Sequence, residues 1–85
     1  MHLVVCYDIV DNRRRARLAR KLRGFLRRVQ KSVFEGELAD ERLEPLRQML
    51  LQEIDGATDM VHIYTLCARC VPAVEVLGVG IYVDT

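Results

Sequence analysis

Short apolar stretches with a two-residue period alternate along this chain with two stretches of helical period. Residues 3–7 (LVVCY) are apolar and β-branched, which predicts a buried strand ending at Asp8. Asp11 or Asn12 then offers a helix N-cap. Leu18, Leu22, Phe25, Leu26 and Val29 recur at the spacing of one helix face, while Arg14, Arg17, Lys21 and Arg28 fall on another. Gly24 weakens the last turns of that helix.

Residues 29–38 (VQKSVFEGEL) read as a second strand with two mixed faces. Asp40 is a candidate cap for a second helix, whose apolar stripe is Leu43, Leu46, Leu50 and Ile54. Pro45 is tolerated only in the first turn, so the helix begins as late as Glu44, and Asp55-Gly56 ends it. Met60 to Leu66 alternates as a third strand. A turn around Pro72 follows, then two short β candidates at 74–77 and 81–83, split by Gly78 and Gly80. The simplest packing is an α+β ferredoxin-like sandwich: an antiparallel sheet with both helices on one face, in a single domain over residues 1–85. The other sheet face stays open, and a second copy related by two-fold symmetry would cover it.

Length changes the picture by limiting the core. A chain of 85 residues buries about 60–65% of its unfolded surface, so oligomerisation is a natural supplement. Hydrophobic content of 51% and charged content of 29% describe a folded chain. No apolar run approaches the roughly 20 residues of a membrane span, and no secretory leader opens the chain, so the expected location is the cytoplasm. Three cysteines are poor support for a disulfide framework. Cys6 reads as a small buried hydrophobe. Cys67 and Cys70 form one C-x-x-C pair, but a structural zinc site needs four ligands, which favours two reduced thiols near a turn.

Charge is segregated. Residues 1–36 carry ten Lys and Arg against three Asp and Glu, a net of +7, and residues 37–85 carry −6. Nine of those cations lie between residues 13 and 28. Such a directed basic surface suits a polyanion, with Arg13, Arg14, Arg15 and Arg17 neutralising phosphates through their forked donors. Asp8, at a strand end beside this block, offers hard oxygen to a magnesium ion, which needs only one or two carboxylates. Its competing role is to cap the following helix. Ser32 reads either as a donor to phosphate or water or as an ordinary strand serine. Phe34 stacks on a base or packs in the core or the dimer interface, and Tyr7 is more naturally structural, with its hydroxyl near a polar rim. His2 and His62 read as plain strand residues.

The string YDI at residues 7–9, the arginine-rich helix and above all VQKSVFEG at 29–36 resemble the CRISPR-associated Cas2 family. The resemblance runs over nearly the whole chain. It implies a ferredoxin-like homodimer, in this family mainly a metal-dependent endoribonuclease, that bridges the Cas1 integrase during insertion of new spacers. It places the family's strand-end aspartate on Asp8, with one Mg²⁺ or Mn²⁺ shared by the two symmetry-related copies. It places activity or nucleic-acid contact on Tyr7, Arg15, Arg17, Arg28, Ser32 and Phe34. It also implies that the C-terminal strand pairs with the partner protomer. Leu26 stands where the family often carries glycine.

Two functions from different classes follow. One is an enzyme that hydrolyses phosphodiester bonds of single-stranded RNA, and of duplex DNA as a further substrate, with Asp8 holding the ion. The other is a non-catalytic dimeric scaffold that binds duplex DNA along its arginines while the integrase does the chemistry. A base-stacking RNA-binding domain is disfavoured, since the chain has only three tyrosines and two phenylalanines.

Overall fold

The computed structural model describes residues 1–82. Strand β1 (His2–Asp8) lies at the centre of a four-stranded sheet. Helix α1 (Asn12–Leu22), the hairpin β2 (Arg27–Gln30) and β3 (Val33–Glu37), helix α2 (Leu43–Glu53) and β4 (Met60–Leu66) follow in order. The sheet order is β2-β3-β1-β4, and every pair is antiparallel. This βαββαβ path is the ferredoxin-like sandwich expected from the sequence.

The alternation in β1 decides which face carries the core. Leu3, Val5 and Tyr7 are buried, while His2, Val4 and Cys6 are half-buried and Asp8 is exposed. Phe34 lies opposite Val5 and joins the buried face. Leu18, Ala19 and Leu22 from α1 and Leu46 and Leu50 from α2 cover it. Each such aliphatic or aromatic side chain stabilises the fold by about 1.5–3 kcal/mol relative to exposure. The opposite face carries Val4, Cys6 and Asp8 of β1 with Met60, His62 and Tyr64 of β4. Met60 and Tyr64 are 58% and 52% exposed, so the described residues leave this face uncovered.

Three boundaries differ from those expected. Helix α1 stops at Leu22, where the Arg23 amide donates to the Ala19 carbonyl and the Gly24 amide to the Lys21 carbonyl. Phe25 and Leu26 therefore reach the core from the turn after the helix, and Val29 belongs to β2. The strand expected at 29–38 is a hairpin, because Lys31 and Ser32 form a turn between β2 and β3. Ser32 is thus a turn residue, not a strand residue. Before α2, Asp40 opens a 3-10 turn (Asp40–Arg42) without capping it through its side chain, and α2 proper begins at Leu43.

Asp11 caps α1 as expected, its carboxylate accepting from the Arg14 amide at 2.8 Å. Residues 74–77 form no strand: they make no ladder with the free edge of β2 or of β4. Gly78 and Gly80 then turn the chain at φ 92° and 78°, backbone that favours glycine. The candidate at 81–83 extends outside the described residues. The tail up to Tyr82 runs beside β2 and lines a cleft with Arg27, Gln30, Val33 and Glu35.

Candidate functional site

Asp8 ends β1 opposite Met60 and lines a shallow cleft with Cys6, Tyr7, Met60 and His62. The His62 and Tyr64 rings stack beside it at 6.0 Å. Asp8 is exposed, and its carboxylate has no hydrogen bond or ion pair among the described residues. The neighbouring acids are committed elsewhere: Asp11 caps α1 and Asp59 binds Arg14.

The hairpin turn is pinned against β1 from three directions. The Tyr7 amide donates to the Ser32 carbonyl at 3.1 Å, and the Tyr7 hydroxyl donates to the Lys31 carbonyl at 3.3 Å. Arg28 donates to the same carbonyl through Nη2 at 2.6 Å and Nε at 3.2 Å. Its guanidinium also lies 5.7 Å from the Phe34 ring centroid and 4.9 Å from that of Tyr82. Burial pushes the Tyr7 phenol above its ordinary range, and the Arg28 charge opposes part of that rise. Phe34 is 0% exposed and stacks on Tyr7 at 6.2 Å. It is a core residue and offers no face to a base.

The basic helix is neutralised in space more than in sequence. Arg14 binds Asp59 through Nε at 2.6 Å and Nη2 at 3.1 Å. The Asp59 side chain is fully buried, and it also accepts the Val10 amide at 3.1 Å and the Asp55 amide at 2.8 Å. Arg14 first, then those amides, hold its carboxyl far below the usual range, and Arg14 is raised in turn. Arg17 donates to Glu53 at 2.7 Å, and Lys21 bonds the same carboxylate. Lys21 foremost and then Arg17 lower the Glu53 carboxyl. Arg15 turns the other way, to the Ile9 carbonyl at 2.8 Å and to the Asn12 side chain.

The residues expected to contact nucleic acid therefore separate into two groups. Arg15 and Arg28 line one groove with Asn12, Ala16, Ala19 and Arg23. Arg14 and Arg17 instead tie α1 to the α2–β4 side of the molecule. Arg13 and Arg20 are exposed and make no ion pair among the described residues.

Sequence reading missed the acids. Glu53 continues the Leu46, Leu50 stripe at helical spacing, a polar residue on a buried face that signals a partner. Asp59 has no local signal. His2 was also missed: its Nε2 faces Glu35 at 2.7 Å and its Nδ1 faces Glu37 at 2.9 Å, which raises the imidazole above 6.5.

Residues 1–74 match the family described as CRISPR associated protein Cas2. The chain is 40% identical over 81 residues to the CRISPR-associated endoribonuclease Cas2 1 of Chloroflexus aurantiacus, covering 94% of this chain and 87% of that protein. Its fold is similar to that of Streptococcus pyogenes Cas2, with a TM-score of 0.81 and 30% identity over 92% of this chain and 100% of the other. It is also similar to a chain of a partial Cas6-RT-Cas1–Cas2 complex, with a TM-score of 0.67 and 26% identity over 89% of each chain. With this fold, and with a family match spanning most of its length, the chain belongs to the CRISPR-associated Cas2 family.

Proposed function

We propose that two copies of this chain form a metal-dependent endonuclease of CRISPR spacer acquisition that cuts phosphodiester bonds, with single-stranded RNA as its first substrate and duplex DNA as a further one. The observation that carries this reading is the exposed Asp8 carboxylate at the rim of the open sheet face, which has no partner among the described residues. The endoribonuclease name of the Chloroflexus relative supports it.

The donor set fits a hard cation only in a pair. Among the described residues no group of three or more His, Cys, Asp or Glu side chains could hold a metal. Magnesium takes one or two carboxylates and keeps its waters, so Asp8 from each of two copies is a sufficient protein contribution. A bound Mg²⁺ or Mn²⁺ would supply Lewis-acid polarisation of a phosphate oxygen. Arg15 and the Ser32 hydroxyl would hold the substrate backbone, and Arg28 and Tyr7 would fix the turn that presents Ser32. A second copy would cover the open face, and the tail, with Leu77 90% and Val79 84% exposed, would pair with it.

The scaffold reading rests on a different observation. Each chain has one carboxylate at the site and exposed cations at Arg13 and Arg20, which is enough to bind duplex DNA without cutting it. The likeness to a chain of a Cas1–Cas2 complex supports a Cas1 integrase partner for either reading.

Cleavage of labelled single-stranded RNA and duplex DNA with Mg²⁺ or Mn²⁺ separates the two. Under the enzyme reading, Asp8→Asn lowers the cleavage rate by roughly a hundredfold or more, and chelator abolishes it. No cleavage by either wild type or Asp8→Asn, with salt-sensitive duplex binding retained, establishes the scaffold instead.

A further inference from the structure

The C-x-x-C pair lies outside everything assigned above. Cys67 and Cys70 sit just beyond β4, where the chain folds into a turn before the tail. The Cys70 amide donates to the Cys67 carbonyl at 2.9 Å, and the Val71 amide donates to the same oxygen at 3.1 Å. The Ala73 amide donates to the Cys70 carbonyl at 3.0 Å, closing the 3-10 turn Val71–Ala73. This backbone brings the two sulfurs to 3.3 Å with both side chains exposed. Cys6, the third cysteine, is half-buried in β1 opposite His62.

We propose that Cys67 and Cys70 are a redox-active dithiol, oxidised to an intrachain disulfide by low-molecular-weight disulfides of the glutathione class. The two thiols are not equivalent. The hydrogen bond shared by the two sulfurs at 3.3 Å lets the pair hold one thiolate, and the amides of Cys70 and Arg69 favour it at Cys67, so Cys67 is drawn below its ordinary range and Cys70 is pushed above. Thiolate is the attacking species in exchange, which makes Cys67 the nucleophile and Cys70 the resolving thiol. Arg69, between them, adds a cation that suits an anionic disulfide.

The chemistry balances with that oxidant alone. The Cys67 thiolate attacks one sulfur of RSSR, forming a Cys67–SR bond and releasing RS⁻. The Cys70 thiol loses its proton and attacks the Cys67 sulfur, forming the Cys67–Cys70 bond and releasing a second RS⁻. The protons lost by the two cysteines end on the two RS⁻. Two electrons pass from the protein pair to RSSR, giving 2 RSH. The new bond closes the turn from which the tail departs, so tail placement becomes sensitive to redox state. Zinc capture is a weaker reading, because among the described residues no third ligand stands with the pair.

The test equilibrates the full chain in buffers of oxidised and reduced glutathione, then quenches with acid, alkylates, and maps the peptides by mass. Wild type is expected to lose two hydrogens within one peptide holding both cysteines. Cys70→Ser is expected to accumulate a stable mixed disulfide on Cys67. Cys67→Ser is expected to react at Cys70 at least tenfold more slowly. Cys6→Ala serves as a background control, and wild-type mapping stands if that variant does not fold. Separate glutathione adducts on both thiols with no internal bond would overturn the proposal. Chain-to-chain disulfides as the main product, or equal rates at the two positions, would do the same. Uptake of one zinc ion by four thiols of two chains would replace it with a metal site. None of these readouts depends on nuclease activity.

Discussion

The guanidinium of Arg14 grips the buried carboxylate of Asp59 across 45 residues of sequence, with Nε–Oδ2 at 2.6 Å and Nη2–Oδ1 at 3.1 Å. Asp59 also takes the amides of Val10 and Asp55, so one carboxylate ties the β1–α1 loop, helix α1 and the α2–β4 loop together. Removing either partner leaves the other without its mate in a desolvated place. Asp59→Ala is expected to lower Tm by roughly 10 °C, read by calorimetry at pH 7. The carboxyl's folded pKa is depressed below the ordinary 3.8, so the stability it contributes is present above that value and lost as pH falls through the folded pKa. Acid unfolding below pH 3.8 should accordingly be steeper in wild type than in Asp59→Asn.

Particular residues show how far the sequence reached. The apolar run of β1 and the Leu46, Leu50 stripe are short-range patterns, and both formed the elements expected of them. The hairpin at Lys31–Ser32 has no Gly, Pro, Asn or Asp to mark it, and its alternating flanks imitate one strand. Its geometry is set by Tyr7 and Arg28, and the Tyr7 bonds are long-range. Phe25 and Leu26 matched the helical period, yet they reach the core through the turn at Gly24. The place of Asp8 at a strand end was readable because it follows from the local apolar run. Arg14 was not, because its partner lies beyond β2, β3 and α2, in the loop before β4.

Phe34 tests the division between core and site. Its side chain has no exposure, it stacks on Tyr7, and it lies opposite Val5. Phe34→Ala is expected to cost about 3–5 kcal/mol of stability by denaturant titration. Phe34→Leu keeps more volume and loses less. RNA affinity per folded molecule should stay unchanged in Phe34→Leu; a tenfold loss without a change in fold would put the ring back at the nucleic acid.

His2 makes the open face sensitive to pH in the opposite sense from Asp59. Its two ring nitrogens face Glu35 and Glu37, and the hydrogen bond that the imidazolium donates to Glu35 is the main cause of its raised pKa. A group whose folded pKa is raised contributes stability that is fully present below its unfolded value of 6.5 and is lost as pH rises through the folded pKa. NMR titration should place the His2 midpoint above 6.5. In Glu35→Gln that midpoint should fall, and the decline in stability above pH 6.5 should flatten.

The two groups of arginines predict two different salt responses. Arg15 and Arg28 line one groove, whereas Arg14 is committed to Asp59. Each phosphate contact releases a counterion and steepens the fall of log K with log salt by about one unit. Under the proposed binding mode, Arg15→Ala should reduce the slope for RNA or duplex binding by about 1. Arg14→Ala should leave that slope unchanged while lowering Tm, because its charge is already matched within the fold. Arg28 sits between these cases. It holds the Lys31 carbonyl, so Arg28→Ala should both reduce the slope and loosen the turn that carries Ser32. Filter binding across a salt series, run beside thermal melts, separates the three. An unchanged slope in Arg15→Ala would remove the groove from the contact surface and leave Arg13 and Arg20 to carry it.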